Sequence, residues 1–425
     1  MCRLYIVISF LVALIQVQAA PPPPSTLLIR AAHVLDPSGQ KWLDHRTVLI
    51  IDGKISHVSD EKLLPPGGQV IDGAGLWLIP GLIDLHSHLL LHPYNEAPWK
   101  DQVLFETLEE RTIRATVAAR NTLMAGFTTL RELGTEGAGN ADVALREAIQ
   151  RQLIPGPRLY VVTRAIVARG CYGPVSLDSR LEFPQGAQEA NGVDGVRAAV
   201  REQIAHGADW IKVYADYIRG LDTEATPTFS QEELNALVDE ARSAHRLVAA
   251  HATTDEGIRR AVLAGVKTIE HGYDVNEATL KLMKEHGVVL CPTLAASDAS
   301  ARYAGWNGEE PAPKRVARSR ASFKAAIRNG VTIANGSDVG VFPHGDNARE
   351  LELMVQNGLT PVQALQAATL DAATVLGRND LGKIDAGCVA DLVLLGRDPL
   401  AGISAVRDVR CVIQGGAILK KIGAE

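Results

Sequence analysis

The sequence predicts an α/β fold: a (β/α)8 TIM barrel with a small composite β-sandwich domain formed by the N- and C-terminal segments. Apolar β-type runs alternate with amphipathic helical stretches through the middle of the chain, and eight such runs occur. Short β-rich segments precede and follow them. No GxGxxG phosphate turn follows an early strand. The alternative, an open doubly wound sheet, is therefore disfavoured.

The first residues of the chain are typical of an export signal. Arg3 precedes the uncharged apolar run LYIVISFLVALIQV, and small residues follow up to Ala19. This pattern predicts a secretory signal peptide over residues 1–19. The run is shorter than the roughly 20 apolar residues that a membrane-spanning helix needs. We therefore expect an exported protein, periplasmic or secreted, with no membrane contact after cleavage.

Residues 20–80 form the first part of the predicted β domain. A PPPP run should be a stiff, exposed leader. The β-type segments LLIRAAHVL, TVLIIDGKISHV and QVIDGAGLWLIPG follow, and the dipeptide Asp52-Gly53 predicts a hairpin. The β-type pattern returns in GKIDAGCVADLVLLGRDPL and VRCVIQGGAIL. Residues 382–425 are therefore predicted to complete the same domain.

Residues 81–381 carry the barrel prediction. The apolar runs are, in order, LIDLHSH, TTLREL, RLYVVT, WIKVYAD, LVAAHAT, TIEHGY, VVLCPTL and TIANGSD. Helical patterns such as VRAAVREQIAHG, QEELNALVDEARSAH and RASFKAAIRNG lie between them. Several end in glycine, as helix C-caps do. Eight successive strand–helix units predict a closed barrel.

Composition and charge exclude several classes of protein. With 46% hydrophobic and 22% charged residues, the chain can bury a large core, so disorder is ruled out. Lys plus Arg is 43 against 49 Asp plus Glu, and no clustered basic stripe occurs, which argues against a nucleic-acid partner. The cysteines form no CxxC pair, so a thiolate zinc site is disfavoured. Cys388 and Cys411 either form a disulfide or remain buried thiols.

Six potential metal ligands lie in or at the ends of predicted barrel strands. They are His86 and His88 at the first strand, Lys212 in the fourth, His251 at the fifth, His271 at the sixth and Asp338 at the eighth. Residues two apart on a strand point the same way, and barrels gather functional groups at the C-terminal ends of their strands. A single histidine is more often a core or surface residue. The convergence of all six predicts a metal site.

The residue types indicate what this site does. Imidazoles with a carboxylate suit zinc better than magnesium or calcium. Burial shifts the lysine towards its neutral amine, which reacts with carbon dioxide to give a carbamate able to bridge two metals. Two bound metals lower the pKa of water and polarise a carbonyl group. Asp338 can then take a proton from water and pass it to a leaving nitrogen.

Six motifs of the chain resemble those of the metal-dependent amidohydrolase superfamily. They are PGLIDLHSH, WIKVYAD, AAHAT, IEHGY and NGSD, with the closing GKIDAGCVADLVLL. More narrowly, the chain resembles the imidazolonepropionase-like branch, which includes prolidase-type dipeptidases, Xaa-amino-acid carboxypeptidases and ochratoxin-hydrolysing amidases. The resemblance extends from Leu27 to the end of the chain. It implies a homo-oligomer. Imidazolonepropionase itself uses one metal and lacks the bridging lysine, so Lys212 argues against that activity.

The resemblance also implies how the ligands are shared. His86, His88 and Asp338 would hold one metal, and His251 and His271 the other. Carbamylated Lys212 would bridge the two Zn²⁺ ions. Asp338 would also be the catalytic proton shuttle.

Five other residues are candidate substrate contacts: Tyr214, Tyr217, His344, His92 and Arg131. The tyrosines follow the lysine in KVYADY, where relatives often have a glycine-rich segment, and either bind a substrate carboxylate or donate to backbone. His92 and His344 either line the pocket or lie on surface loops. Arg131 either meets a substrate carboxylate or pairs with Glu132 or another acid. Glu270 should point away from the site, because neighbours on a strand alternate faces.

We therefore expect a binuclear zinc-dependent hydrolase of amide bonds. Its substrates would be dipeptides or N-acyl amino acids with a free carboxylate, as for Xaa-Pro dipeptidases, carboxypeptidases or ochratoxin amidases. A cyclic amide, lactone or phosphoester hydrolase on the same metals is an alternative. A ligand-binding barrel without turnover is another, although such proteins typically lose a metal ligand and none of the six is missing here.

Overall fold

The computed structural model describes residues 25–60, 68–174, 178, 180, 182–220 and 222–421. The predicted signal peptide and the proline run lie outside the described residues. The strands are β1 (Thr26–Leu35), β2 (Trp42–Ile51), β3 (Lys54–Ser59), β4 (Gln69–Asp72), β5 (Trp77–Pro80), β6 (Leu82–Ser87), β7 (Phe127–Glu132), β8 (Arg158–Val161), β9 (Ile166–Val167), β10 (Gln188–Glu189), β11 (Trp210–Tyr214), β12 (Asp216–Ile218), β13 (Ala225–Pro227), β14 (Leu247–Ala252), β15 (Thr268–His271), β16 (Val289–Cys291), β17 (Leu392–Leu395), β18 (Val409–Gln414) and β19 (Ala417–Lys420).

The helices alternate with the strands through the middle of the chain. They are α1 (Trp99–Phe105), α2 (Leu108–Met124), α3 (Ala141–Gln150), α4 (Gly192–Ala205), α5 (Gln231–Ser243), α6 (Asp255–Ala264), α7 (Glu277–Glu285), α8 (Leu294–Tyr303), α9 (Lys314–Asn329), α10 (Ala348–Gln356), α11 (Pro361–Ala367) and α12 (Leu370–Val375), with a 3-10 helix at Ile403–Arg407. Helices α6 and α9 end at Gly265 and Gly330, both in the left-handed conformation. The glycine stop signals in the sequence therefore mark these helix ends.

The two ends of the chain meet in one hydrogen-bonded sheet. Its order is β19-β18-β17-β5-β1-β2-β3, with β4 beside β1. Strand β17 pairs antiparallel with β5, so the C-terminal segment enters the sheet directly beside the N-terminal one. A composite β unit built from both chain ends is therefore present. Its division into two sandwich layers and the domain boundaries stay predictions.

The turn between β2 and β3 has the geometry that its sequence predicts. Asp52 and Gly53 have φ values of 49° and 76°, both in the left-handed region. Two such residues form the turn whose twist matches an antiparallel hairpin. A Cβ on Gly53 would lie 2.7 Å from the carbonyl oxygen of Gly415. The close approach of the β18–β19 turn therefore also requires glycine here.

The middle of the chain forms parallel sheets whose strands are covered by helices. One sheet has the order β6-β7-β8 and the other β10-β9-β11-β14-β15-β16. Every residue of β6, β7 and β11 is buried. Burial on both faces explains why the sequence shows continuous apolar runs instead of alternation. The result is a mixed α/β architecture, as predicted.

The eighth predicted run is not a regular strand. Ile333 forms an isolated parallel bridge with Leu290, and Val339 forms another with Ser87. These bridges place the segment between β16 and β6. A side chain also links this segment to β6, because the side-chain amide of Asn335 donates to the backbone carbonyl of Ile83 at 2.9 Å. The links support a closed eight-stranded barrel, which stays a prediction.

Two smaller expectations concern cysteines and membranes. The cysteines of the described residues are free and buried: Cys171, Cys291, Cys388 and Cys411. Cys388 and Cys411 are therefore buried thiols and do not form a disulfide. Burial raises the pKa of the Cys411 thiol to about 11. Within the described part of the chain, no helix combines the length and apolar character needed to cross a bilayer.

We predict that Phe127→Ala lowers the free energy of unfolding by about 3–5 kcal/mol, because it removes a fully buried ring at the start of β7. The measurement is urea unfolding followed by circular dichroism. Phe105→Ala is the matched control, since that ring is 76% exposed, and it should change stability by less than about 0.5 kcal/mol. Equal effects of the two substitutions would contradict the assigned core.

Candidate metal centre

His86 and His88 present their Nε2 atoms to a common point at the end of β6. His86 Nδ1 donates to Glu270 Oε2 at 2.8 Å, and His88 Nδ1 donates to the Gly134 carbonyl at 2.9 Å. A histidine whose Nδ1 carries the proton leaves a lone pair on Nε2. Both rings are therefore held in the form and orientation that metal ligation requires.

Asp338 completes a cluster with these two histidines. Its Oδ1 lies 3.6 Å from His86 Nε2 and 3.4 Å from His88 Nε2. One ligand atom from each of the three residues lies within 4.8 Å of the others. The Asp338 amide donates to the His86 carbonyl at 2.7 Å, and Asp338 has a φ of 64°. This left-handed conformation turns the carboxylate towards the histidines at the end of the eighth run.

His251 and His271 lie beside this cluster. Their ring centroids are 4.5 Å apart, and the His271 ring lies 5.2 Å from that of His86. His271 Nδ1 is hydrogen-bonded to Thr293 Oγ1 at 2.7 Å. Tyr214 stacks on His251 at a centroid distance of 4.5 Å. Tyr214 on β11 thus positions the His251 ring, and Thr293 in the loop after β16 positions the His271 ring.

Lys212 lies in the middle of β11 with its amine among these groups. The residue is 1% exposed, and its Nζ has no hydrogen-bond partner within the described residues. Burial lowers the pKa of Lys212, while Glu270 and Asp338 act in the opposite direction. A buried polar group without a hydrogen bond is costly, so this amine calls for a partner that the protein itself does not supply within the described residues.

The burial of the site favours ligand chemistry. Burial is the main cause that lowers the pKa of all four histidines, with further lowering from Lys212. Burial also raises the pKa of Asp338 to about 6, against the opposing effect of His88. Neutral imidazoles are the form that binds metals. The structure therefore brings His86, His88 and Asp338 together in one cluster, with the rings of His251 and His271 beside it. Imidazole nitrogens and a carboxylate suit zinc.

Glu270 corrects one expectation from the sequence. It was expected to point away from the site, but its Oε2 accepts from His86 and its Oε1 from Arg131 at 2.8 Å. The reason lies at His271, whose φ of 75° breaks the alternation of the strand. Both neighbours therefore reach the interior, Glu270 below the histidines and His271 beside them.

Arg131 is not a substrate contact. It is fully buried, and its guanidinium donates to the Leu85 carbonyl at 2.7 Å, to Thr268 Oγ1 and to Glu270. The expectation of a substrate carboxylate is therefore wrong, and the alternative of pairing with an acid holds. The acid is Glu270 and not the neighbouring Glu132.

The two loop histidines have other partners. His92 is held by two carboxylates, with Nδ1 3.0 Å from Glu96 and Nε2 2.7 Å from Glu106. His344 Nε2 donates to the Leu91 carbonyl at 3.1 Å, and burial lowers the pKa of His344 to about 4. His344 also contacts the backbone of His88. These partners belong to the protein itself, so the two predicted substrate contacts gain no support from the geometry.

The two tyrosines lie beside His251 within an aromatic cluster. Tyr217 is half-buried, and its ring centroid is 5.5 Å from that of His251. Tyr214 is buried, and Tyr172 contacts both tyrosine rings. Burial raises the pKa of Tyr217 to about 12, so its hydroxyl stays protonated and can donate at neutral pH.

Sequence reasoning missed Glu136. Its Oε2 accepts from Trp99 Nε1 at 2.8 Å and from the Tyr172 hydroxyl, and so anchors the aromatic cluster. Its Oε1 lies 3.8 Å from His88 Nδ1 and has no hydrogen-bond partner in the described part of the chain. The available signal was the glycine-rich segment GTEGAG directly after the second predicted strand.

Comparison with known proteins places these features in context. A family model described as the amidohydrolase family matches residues 77–419. Ochratoxinase from Aspergillus niger is 30% identical over 390 residues, which cover 81% of this chain and 76% of that protein. A solved prolidase complexed with N-methylphosphonate-L-proline matches with a TM-score of 0.81 and 32% identity, over 93% of this chain and 100% of the other. A Xaa-Pro dipeptidase with methionine bound in its active site gives a TM-score of 0.83 and 30% identity over the same shares.

We predict that Arg131→Met lowers the free energy of unfolding by about 3–5 kcal/mol, because Glu270 is then left buried without its cation. Arg114→Met is the control, since Arg114 pairs with an exposed Glu110 at 3.2 Å and should cost less than about 1 kcal/mol. Both values come from urea unfolding. A cost below 1 kcal/mol for Arg131→Met would contradict the importance of this ion pair.

We predict that Glu270→Gln weakens zinc binding by about 10- to 100-fold, because His86 loses the carboxylate that orients its ring. Competition with a chromophoric chelator measures this affinity. Glu132→Gln is the matched control, since Glu132 is equally buried but bonds Ser87 and the Leu89 amide. The same loss of affinity in both variants would show that general loosening, not ring orientation, is responsible.

Proposed function

Because the chain belongs to the amidohydrolase family, we propose that it is a binuclear zinc-dependent hydrolase of amide bonds. The resemblance drawn from the sequence motifs is confirmed, and the chain is a hydrolase. The number and kind of metal ions, the state of Lys212 and the substrate are the proposed parts. The following contacts support them.

Lys212 is the observation that carries the proposal of two metals. Lys212 is buried, and its charge acts on all four histidines and on Asp338. Its amine has no hydrogen-bond partner in the described residues, which a structural lysine would have. Attack of the neutral Nζ on carbon dioxide would form an N–C bond and release a proton. The resulting carbamate would supply oxygen ligands to metal ions held by the histidines and Asp338. The residues present thus fit a two-metal centre.

The donor set favours zinc as the metal. Two groups of histidines with a carboxylate form a nitrogen-rich set, which suits zinc over magnesium or calcium. His86, His88 and Asp338 would hold one ion, and His251 and His271 the other. Bound zinc supplies Lewis acidity that polarises a substrate carbonyl and lowers the pKa of water at the site.

Asp338 is the residue that we propose to move the proton. Its Oδ1 faces the Nε2 atoms of both first-strand histidines, so it lies where a reacting water and a leaving nitrogen would meet. It accepts the proton from water and gives it to the departing amine. The Gly134 carbonyl and Glu270 hold His88 and His86 in place during this transfer.

The proposed substrates are dipeptides or N-acyl amino acids with a free carboxylate. Support comes from the relatives, which include an ochratoxinase, a prolidase and a Xaa-Pro dipeptidase. Tyr217, half-buried beside His251, offers a neutral hydroxyl donor to such a substrate.

Three further proposals accompany this function. The parallel strands would close into a (β/α)8 barrel, the chain would act as a homo-oligomer, and it would be exported after cleavage following Ala19. N-terminal sequencing of protein from the producing cell's extracytoplasmic fraction tests the last of these. A mature chain that begins at Ala20 supports export, and an intact Met1 contradicts it.

We predict about two zinc ions per chain by elemental analysis, and turnover of N-acyl amino acids or Xaa-Pro dipeptides. Asp338→Asn should lower kcat by about 10²–10⁴-fold because proton transfer is lost. Lys212→Ala should bind fewer than two metals. Lys281→Ala, on the exposed face of α7, is the control and should retain both activity and metal.

Fewer than one bound metal with excess zinc present, or full activity in Lys212→Ala, would contradict the binuclear centre. Turnover of lactones, cyclic amides or phosphoesters, with none of linear amides, would overturn the proposed substrate class while leaving the metals in place.

A further inference from the structure

We propose that Arg315 binds the free carboxylate of the substrate and so sets the preference of this enzyme for anionic amides. This inference rests on the proposed function, since it assigns a residue to the carboxylate of that substrate class. It replaces Arg131, which is enclosed below the histidines.

Arg315 lines a cavity whose lining includes Tyr273, and the Tyr273 ring lies 5.5 Å from the ring of His271. The cavity has a volume of about 310 Å³ and is lined by the loops after β12, β14 and β15 and by the start of α9. Tyr273, which lines it, follows His271 by two residues. The Arg315 guanidinium carbon lies 5.4 Å from the centroid of the Tyr273 ring. The side chain therefore lies next to the strand end that carries His271.

Arg315 is the cation of this cavity that has no acidic partner among the described residues, and its side chain is hydrogen-bonded to Tyr273. Lys314 lies 3.7 Å from Glu224, and Arg318 lies 2.9 Å from Asp274, so the other two cations are matched by acids. Within the described residues, no carboxylate forms an ion pair with Arg315, which is exposed and lines the cavity. A guanidinium offers a planar fork of donors that matches a carboxylate.

The position of Arg315 in its helix adds to this charge. It lies in the first turn of α9, which contains no acidic residue. The N-terminus of a helix carries a partial positive charge, so cations in the first turn lower helix stability by about 0.3–1 kcal/mol. A substrate carboxylate would neutralise the positive charge of Arg315 and of the helix N-terminus. The first turn of α9 contains no acidic side chain that could do so.

The charge of Arg315 also reaches the metal ligands. Burial, then Lys212 and then Arg315 lower the pKa of His251. The main influence on the pKa of Asp338 is burial, which raises it. His88, Lys212 and then Arg315 act in the opposite direction and lower it. A substrate whose carbonyl lies at the metals can therefore place a carboxylate on its leaving-group side within the field of this guanidinium.

The experiment compares an acid with its neutral analogue. The zinc-loaded full chain is assayed with N-acetyl-L-proline and N-acetyl-L-phenylalanine and with the carboxamide of each. In Arg315→Met we expect kcat/KM for the acids to fall by about 10- to 100-fold, mainly through KM, because a hydrogen-bonded ion pair is lost. Activity on the carboxamides should stay within about twofold.

Two further variants separate recognition from general effects. Arg315→Lys should recover part of the preference for acids, because it restores the charge without the fork. Lys324→Met removes one positive charge from an exposed position of the same helix and should leave the acid-to-carboxamide ratio unchanged. Thermal unfolding of each variant confirms that the chain is folded.

The outcomes distinguish this inference from the proposed function. If the wild type hydrolyses both series and Arg315→Met leaves their ratio unchanged, the assignment of Arg315 is wrong and the amidase function stands. If the wild type hydrolyses none of these amides, calorimetry with N-acetyl-L-phenylalanine decides. Binding that Arg315→Met abolishes supports the carboxylate site without the proposed activity, and binding unaffected by the substitution overturns it.

Discussion

The buried ion pair between Arg131 and Glu270 is the interaction on which the metal centre depends. It connects the two parallel sheets, because Arg131 on β7 also donates to the Leu85 carbonyl on β6 and to Thr268 on β15. The second oxygen of Glu270 holds His86. Because both side chains are fully buried, the ion pair needs all its hydrogen bonds. A single buried charge without its partner would strongly lower the stability of the fold. The position of His86 is thus set by the ion pair between Arg131 and Glu270.

Much of the centre could be predicted from sequence because its ligands obey strand geometry. His86 and His88 are two apart at the end of a buried strand, and Lys212 interrupts an apolar run, so period and position identify them. Glu270 could not be found in this way, because the left-handed φ of His271 overrides the alternation on which the reasoning relied. Arg315 gave no signal either, since its importance arises only from where the start of α9 lies.

The site also contains residues with strained backbone conformations. His271, Thr293 and Asp338 all have positive φ values although none is glycine. Such conformations cost of order 1–3 kcal/mol each and persist only where the surroundings enforce them. Here the enforcing contacts are two hydrogen bonds. One joins the Thr293 hydroxyl to His271, and in the other the backbone N–H of Asp338 donates to the His86 carbonyl. Substitutions to glycine at these positions would relieve strain but remove the ligand or its support.

The sheet that joins the two ends of the chain has a consequence for synthesis on the ribosome. Strand β5 is flanked by β1 on one side and by β17 on the other. Until the C-terminal strands emerge, β5 is therefore an open apolar edge, which is a template for pairing with other chains. The long separation between β5 and β17 makes this closure entropically costly and late. Strand β17 thus covers an edge that forms much earlier in the chain, and its removal would expose an aggregation-prone strand far away in sequence.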